Sequence, residues 1–388
     1  MIVISSFIVI FAFSTVDHAL SPMVAILQAF FNVAQEKILW LISSCTIGIV
    51  SGLVIGPQIV KSFKVPYVLA FSAIIMFLSL VAFALCANFA VSLFLRFVFG
   101  VGAGLISTVM WWLAYESIDR MFYTPMIVVL TASRPMAVAA GVPLVLYGSK
   151  YFGWSAAFII VGIILTIFCF TLVSSSPNDT QNKETFTLKN IFARYSGALS
   201  TKWFKSLFSA MFINRICYFG FYSMLGIWFF KKYNMTTLQI AAPLMVIGIC
   251  ETVINFIVPM LMKIGKKKLF VLSVASNIAV FGLFIWGSLP LWVAITFIAL
   301  FAMSDRVYNM LLLMFIPSIF PESKDKTTIG SCVTLVSWSS LAAISYIEGQ
   351  FLDILGMNLI ATLLLLSLVA GLISYYVIFS KTVFEKNN

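Results

Sequence analysis

Charge is what this sequence has least of. Only 10% of its 388 residues are Asp, Glu, Lys or Arg, against about 25% in ordinary soluble domains. Acidic residues number 13, and His18 is the single histidine. So few polar side chains cannot cover a core built from a chain that is 62% hydrophobic, which excludes a soluble globular fold. Six cysteines (Cys45, Cys86, Cys169, Cys217, Cys250 and Cys332) each lie inside an apolar run, without metal-ligand spacing. They read as small packed hydrophobes. A Walker-type phosphate loop is missing, so ATP-driven pumping has no support. A membrane-embedded enzyme would need a nucleophile with its base, or a metal cluster, at membrane depth. The lone histidine and scattered cysteines supply neither, so the chain reads as no enzyme, with no cofactor and no metal. The apolar/polar alternation of barrel strands is missing as well.

Long apolar runs are what the chain has instead. A bilayer core about 30 Å thick needs roughly 20 apolar residues per helical span, and only helices satisfy every backbone group over such continuous runs. Twelve spans are expected, at 5–27, 38–60, 66–87, 92–118, 123–147, 154–175, 204–229, 239–262, 268–286, 290–316, 328–349 and 356–379. The opening residues lack a basic n-region and a small-residue cleavage site, so they read as the first span and not as a removed signal. The longest polar stretch divides the chain into a bundle over 1–175, a central loop over 176–203 and a second bundle over 204–388. The fold class is all-α integral membrane, two six-helix pseudo-symmetric bundles.

Basic residues orient it. With the N-terminus inside, Lys61 and Lys64, the Lys263 and Lys266–Lys268 group, the central loop and both tail lysines fall on the cytoplasmic side. Only Lys37, Lys150, Lys231 and Lys232 fall outside. This positive-inside bias places both termini in the cytoplasm and the chain in the cell's inner (plasma) membrane, as a multi-pass protein. The formal charge of +11 then faces an anionic leaflet and calls for no nucleic acid.

Four patterns resemble the major facilitator superfamily. Arg96-Phe-Val-Phe-Gly100-Val-Gly102-Ala-Gly104 looks like its fourth-helix motif, an arginine followed by a glycine face that permits close helix packing. Gly141-Val-Pro143-Leu, with Phe152-Gly153-Trp154 beyond it, resembles the antiporter motif of the drug-and-sugar efflux branch. Val145 and Ser155 depart from that branch's usual glycine and arginine. Gly56-Pro-Gln-Ile-Val60-Lys61-Ser-Phe-Lys64 resembles the signature loop between the second and third helices, with Val60 in place of the usual aspartate. Pro259 through Lys268 looks like its echo in the second half. The resemblance implies the major facilitator fold, a cavity lined by the first, fourth, seventh and tenth helices, and gating or packing roles for Gly100, Gly104, Gly141 and Pro143.

A charge inside a span costs about 2.5–3.5 kcal/mol even on the generous scale and is a functional hypothesis by default. Asp17, Arg96, Arg134, Arg215, Glu251, Asp305 and Arg306 all lie within spans. Neighbours on a helix diverge by about 100°, so Asp305 and Arg306 should find partners on other helices. Asp17 is expected to pair with one cavity arginine, and Glu251 with Arg306 or Arg215. Guanidinium is permanently charged and fits carboxylate or phosphate, so Arg134, Arg215 and Arg306 are candidates for an anionic substrate. The alternative for each is a tie between helices. Trp112 and Tyr222 are candidates to stack on that substrate, with packing as the alternative. Burial favours the neutral form of a carboxyl and a nearby arginine its charged form, so Asp17, with Arg96, Glu251 and Asp305, is a candidate for proton coupling or ion pairing. His18 reads as a packing residue before a proton relay.

The expected function is a secondary transporter moving a small organic anion, a polycarboxylate such as a carboxylate-type siderophore, coupled to protons. Alternatives are a proton-coupled exporter of drugs or sugars, and a transport-derived sensor. Its partners are the substrate, protons and the lipid bilayer, and it is expected to act as a monomer.

Overall fold

The computed structural model describes residues 1–20, 22–33, 35–117, 120–176, 184–235, 237–286, 289–321, 323 and 325–384. Among these the regular structure is helical throughout, with no strand. The chain forms two compact units: Met1–Ala198 with Lys324–Ser331, and Leu199–Ser323 with Cys332–Asn388.

The first unit runs through α1 (Ile2–Ala19), a short α2 (Val24–Phe31), α3 (Gln35–Ser62), α4 (Val65–Leu85), α5 (Phe89–Trp112), α6 (Arg120–Met136), α7 (Val142–Phe152) and α8 (Trp154–Ser175). A further helix, α9 (Leu188–Ser200), carries the unit boundary. Local chemistry sets the ends. Pro66 opens α4, where its missing N–H costs nothing, and the Asn88 side chain accepts from the Val91 amide at the start of α5. Gly153, at φ +81°, turns the chain between α7 and α8. The second unit holds α10 (Phe204–Tyr233), α11 (Thr237–Leu261), α12 (Lys266–Trp286), α13 (Leu291–Ile319) and α14 (Lys326–Phe379).

Helices apolar on every side must meet protein on one face and lipid on the other. On α8, Trp154, Phe158, Leu165, Cys169 and Leu172 are buried, while Ile160, Ile163, Ile164 and Ile167 are exposed at helical spacing. In the first unit α3 and α4 pack on α5, and α8 packs on α1 and α4. In the second, α13 packs on α11 and α12.

Ten stretches of the described residues are long and apolar enough to cross a membrane, two of them within α14. With α10 at 30 residues and α12 at 21, twelve spans result. The boundaries differ most in four places. The first span ends at Ala19, because Pro22 cannot continue a helix. The fifth runs on to Phe152 as α6 and α7 joined by a widened π turn, Ala137–Gly141. Pro143 removes an amide donor and crowds the carbonyl four residues back, and the wider turn accommodates both. The polar central stretch contains α9. The last two spans form one helical run, yet Ser340 donates to the Phe212 carbonyl and Gly371 packs on Asn214 and Ala210. A straight helix would separate Ser340 from Gly371 by about 46 Å, so the run folds back between them.

Candidate functional site

Among the described residues, buried charge in the first unit is a single pair. Asp17 on α1 accepts one hydrogen bond, 3.2 Å, from Nη2 of Arg96 on α5. Arg96 is fully buried, and its Nε and Nη1 have no hydrogen-bond partner among the described residues. Its guanidinium lies 5.7 Å from the Phe83 ring centre and 5.2 Å from that of Phe99, a partial substitute for solvent. A permanently charged group is thus held by one long hydrogen bond and two ring faces.

The second unit is bonded far more heavily. Arg215 on α10 meets Asp305 on α13 through both carboxylate oxygens, Nη2 to Oδ1 at 2.6 Å and Nη1 to Oδ2 at 3.0 Å. Tyr308 donates its hydroxyl to Oδ1, and Asn309 donates to Oδ2 at 3.0 Å. Asp305 therefore receives four donors, which fills its lone-pair sites. Asn214 Oδ1 takes Nε and Nη2 of Arg215, and Asn214 Nδ2 donates to Tyr308. With four of its five N–H directions used, Arg215 is the centre of a closed network between α10 and α13.

One residue along α13, Arg306 points to a different set. Its Nε donates to Glu251 Oε1 on α11 at 3.4 Å and its Nη2 to the Tyr218 hydroxyl. Tyr218 and Tyr222, a helical turn apart on α10, donate to the same Oε1 at 2.6 and 2.8 Å. Glu251 Oε2 accepts nothing among the described residues, and Arg306 keeps 19% of its side chain exposed. This cluster therefore has an open carboxylate oxygen, whereas both oxygens of Asp305 are filled. The Tyr218 ring lies 4.9 Å from both guanidinium carbons and separates the two networks.

Several residues here were invisible as site members in the sequence: Asn214, Tyr308 and Asn309. Tyr308 and Asn309 stand three and four positions after Asp305, the spacing that puts side chains on one helix face, and that signal would have found them. Trp112, a candidate stacking surface, is buried at the end of α5. Arg134 is half-buried on α6 before the π turn. His18 is exposed, with its ring bonded to the Ser14 carbonyl at 2.7 Å, and does not pack.

The end of α3 carries a second, peripheral set of ion pairs. Lys61 pairs with Glu116, which also accepts the Thr327 amide at 2.8 Å. Arg194 on α9 pairs with Glu184 and Asp325, and its Nε donates to Gln58 at 2.6 Å. Burial alone would lower the Arg194 pKa, but Asp325 and then Glu184 outweigh it and hold the guanidinium above its ordinary range. Val60, in the place of the signature-loop aspartate, is buried and apolar.

The glycines act by closeness. A Cβ on Gly100 or Gly104 would sit 2.1 Å from the Cys45 carbonyl or 2.4 Å from that of Ile49, both on α3. Gly141 instead meets a side chain, Thr15 Oγ1 at 2.0 Å, while Pro143 beside it is exposed. Gly141→Ala is therefore expected to cost about 1–3 kcal/mol as overpacking. Adding Thr15→Ala should recover most of it. Thermal unfolding of the two variants in one detergent checks this, and equal losses in single and double variants would sink it.

Comparison with known proteins places this geometry. A family model described as Major Facilitator Superfamily matches residues 2–344. The "Uncharacterized MFS-type transporter YceJ" of Bacillus subtilis (strain 168) is 23% identical over 247 residues, 63% of this chain. The match spans 62% of that relative's length. Among solved structures, the MFS proton:xylose symporter XylE bound to 6-bromo-6-deoxy-D-glucose gives a TM-score of 0.73 at 14% identity, over 98% of this chain and 94% of that one. The human organic anion transporter MFSD10 (TETRAN) gives 0.72 at 13% identity, over 97% of each. At such identities the likeness is one of fold.

Proposed function

This chain belongs to the Major Facilitator Superfamily, and from that premise we propose that its cargo is a small organic anion moved together with protons. The family makes it a multi-pass membrane transporter, secondary and working by alternating access, and not an enzyme. A polycarboxylate, such as a carboxylate-type siderophore, is the cargo class that the charges favour, and the cell's inner (plasma) membrane is the location that the loop charges favour.

One observation carries the reading. Away from the span ends, four arginines (Arg96, Arg134, Arg215 and Arg306) stand against three acids. Each acid is matched to one arginine: Asp17 to Arg96, Asp305 to Arg215 and Glu251 to Arg306. Arginines thus outnumber acids at these positions of the sequence, a balance that favours an anionic cargo over a cationic one. Arg134 and Arg306, with Tyr222, are assigned to the substrate. Arg215, committed to Asp305 and Asn214, is assigned to holding α10 against α13.

Bond counts also support Asp17 as the coupling acid. Protonating Asp305 would disrupt four hydrogen bonds, whereas protonating Asp17 disturbs a 3.2 Å bond from Arg96 and a contact with the Cys45 thiol. A protonated Asp17 no longer neutralises Arg96, and an anion entering with the proton restores the balance. Glu251, with Oε2 open, is the second candidate for a proton.

A second reading, export of drugs or sugars, is favoured by the Gly141–Pro143 pattern on the fifth span. Fold does not choose, since one structural neighbour is a proton:xylose symporter and another an organic anion transporter. Proteoliposomes loaded against a pH gradient separate the two. Citrate-like polycarboxylates should accumulate, and neutral sugars and lipophilic cations should not. Arg134→Gln should reduce that uptake by at least about tenfold, which is about 1.4 kcal/mol. Sugar or cation flux untouched by Arg134→Gln would replace the anion reading with the exporter. Asp17→Asn keeps an oxygen for Arg96 and mimics the protonated acid. It should abolish gradient-driven accumulation while leaving substrate counterflow within about twofold of the unsubstituted protein. Accumulation that survives Asp17→Asn would move the coupling to Glu251.

A further inference from the structure

The helix of the central loop has an apolar sector that the protein covers only in part. At about 100° per residue, Ile191, Tyr195 and Ala198 fall together with Leu188, Phe192 and Leu199 on one sector about 120° wide. Its two sides are treated differently. Ile191 and Ala198 are buried, whereas Leu188 is 70% exposed and Phe192 74% exposed, and Leu199 is exposed beside them. Ser196 and Lys189 border the exposed side, and Ala193, Gly197 and Asn190 lie opposite it.

The height of α9 along the span says what covers the rest. Tyr195 donates its hydroxyl to the carbonyls of Leu53 and Val54, at 3.2 and 3.1 Å. Those residues stand eight and nine positions before the end of α3 at Ser62, about 12–13 Å back along the helix axis. Arg194 bonds Gln58, about 6 Å from the same end. So α9 does not hang beyond α3. It lies alongside the final third of a membrane span, at the level where headgroups give way to acyl chains.

We propose that α9 is an interfacial helix whose Leu188–Phe192–Leu199 stripe is inserted in the lipid of the leaflet at the Ser62 end of α3, with anionic headgroups as the partner of its basic residues. The stripe continues the exposed apolar surface of the neighbouring span, where Ile47 on α3 and Phe63 just after it also face outward. Lys189 flanks the stripe and Lys202 follows it within one turn, positioned to meet phosphate while the apolar side chains enter the acyl layer. Because the same helix carries Arg194, lipid that seats α9 also seats the Arg194 bonds to Gln58, Asp325 and Glu184.

Site-directed spin labelling tests this on the full-length protein in nanodiscs holding one copy. Labels replace Leu188, Phe192 and Leu199 one at a time, and the exposed Ala193 and Gly197 on the opposite face. The unsubstituted protein supplies the background of the six native cysteines. Oxygen should relax the stripe labels more than a water-soluble nickel chelate does, and the order should reverse at Ala193 and Gly197. Raising phosphatidylglycerol from none to about a third of the lipid should deepen the stripe labels. Nickel access to the stripe equal to that at Gly197 would overturn lipid insertion. Shielding from both reagents would mean a protein cover and overturn it too. A depth indifferent to phosphatidylglycerol would overturn the anionic preference. None of these readouts depends on which solute the protein carries.

Discussion

Asp305→Asn is expected to destabilise the protein by about 3–5 kcal/mol, the usual result of stripping one partner from a buried ion pair. Asp305 is fully buried and accepts from Arg215, Tyr308 and Asn309. An amide would turn one acceptor into a donor that faces Arg215 or Asn309, leaving donor against donor. It would also leave the Arg215 guanidinium, itself almost wholly buried, without a counter-charge. The pair Arg215→Met with Asp305→Leu removes both charges and should regain most of the loss, because apolar replacement of a buried pair is often neutral. Thermal unfolding in one detergent reads both effects. An unchanged midpoint for Asp305→Asn would show that this network does not hold α10 to α13. Arg215 would then be available to substrate after all.

Gly100→Ala is expected to exceed the about 1–3 kcal/mol ordinarily lost by overpacking, because the added carbon meets backbone. Its Cβ would stand 2.1 Å from the Cys45 carbonyl oxygen and 2.9 Å from the Ile49 amide. On the facing helix, a Cβ on Gly48 or Gly52 would likewise sit 2.1 Å from the Phe97 carbonyl oxygen or 2.4 Å from that of Val101. No rotamer change relieves such contacts; α3 and α5 must separate along the seam. Gly148 supplies the contrast, since a Cβ there would lie 3.9 Å from its nearest neighbour. Gly148→Ala should be neutral or stabilise by about 0.5–1 kcal/mol, through the ordinary helical cost of glycine. The yield and unfolding temperature of the two variants decide the matter. A Gly100→Ala protein as stable as Gly148→Ala would mean that the seam yields.

The sequence announced its spans because lipid demands long continuous apolar runs, and that demand is local. It also announced which charges lie at membrane depth. Which acid takes which arginine was open, since pairing depends on how each helix is rotated about its axis. Asp305 and Arg306 show this: adjacent in sequence, they turn to Arg215 on α10 and Glu251 on α11. Apolar runs carry little rotational information when both lipid and protein faces are hydrophobic. The helix in the central loop was missed for the opposite reason, because Lys189, Arg194 and Gly197 lower its average polarity contrast. Its Leu188, Ile191, Phe192, Tyr195, Ala198 and Leu199 spacing is nevertheless helical, and reading periodicity inside the polar stretch would have found it. The π turn at Ala137–Gly141 is a response to Pro143, whose register effect no apolar pattern records.

The seam between α3 and α5 also has a genetic consequence. Every single-base change in the first two positions of a glycine codon yields a residue with a side chain or a stop, and alanine is the smallest of these. At Gly48 and Gly100 even alanine would press a carbon onto a facing carbonyl. Neither codon has a mild neighbouring allele, so variation there should be purged in one step, whereas Gly197, with open space around it, is free to drift.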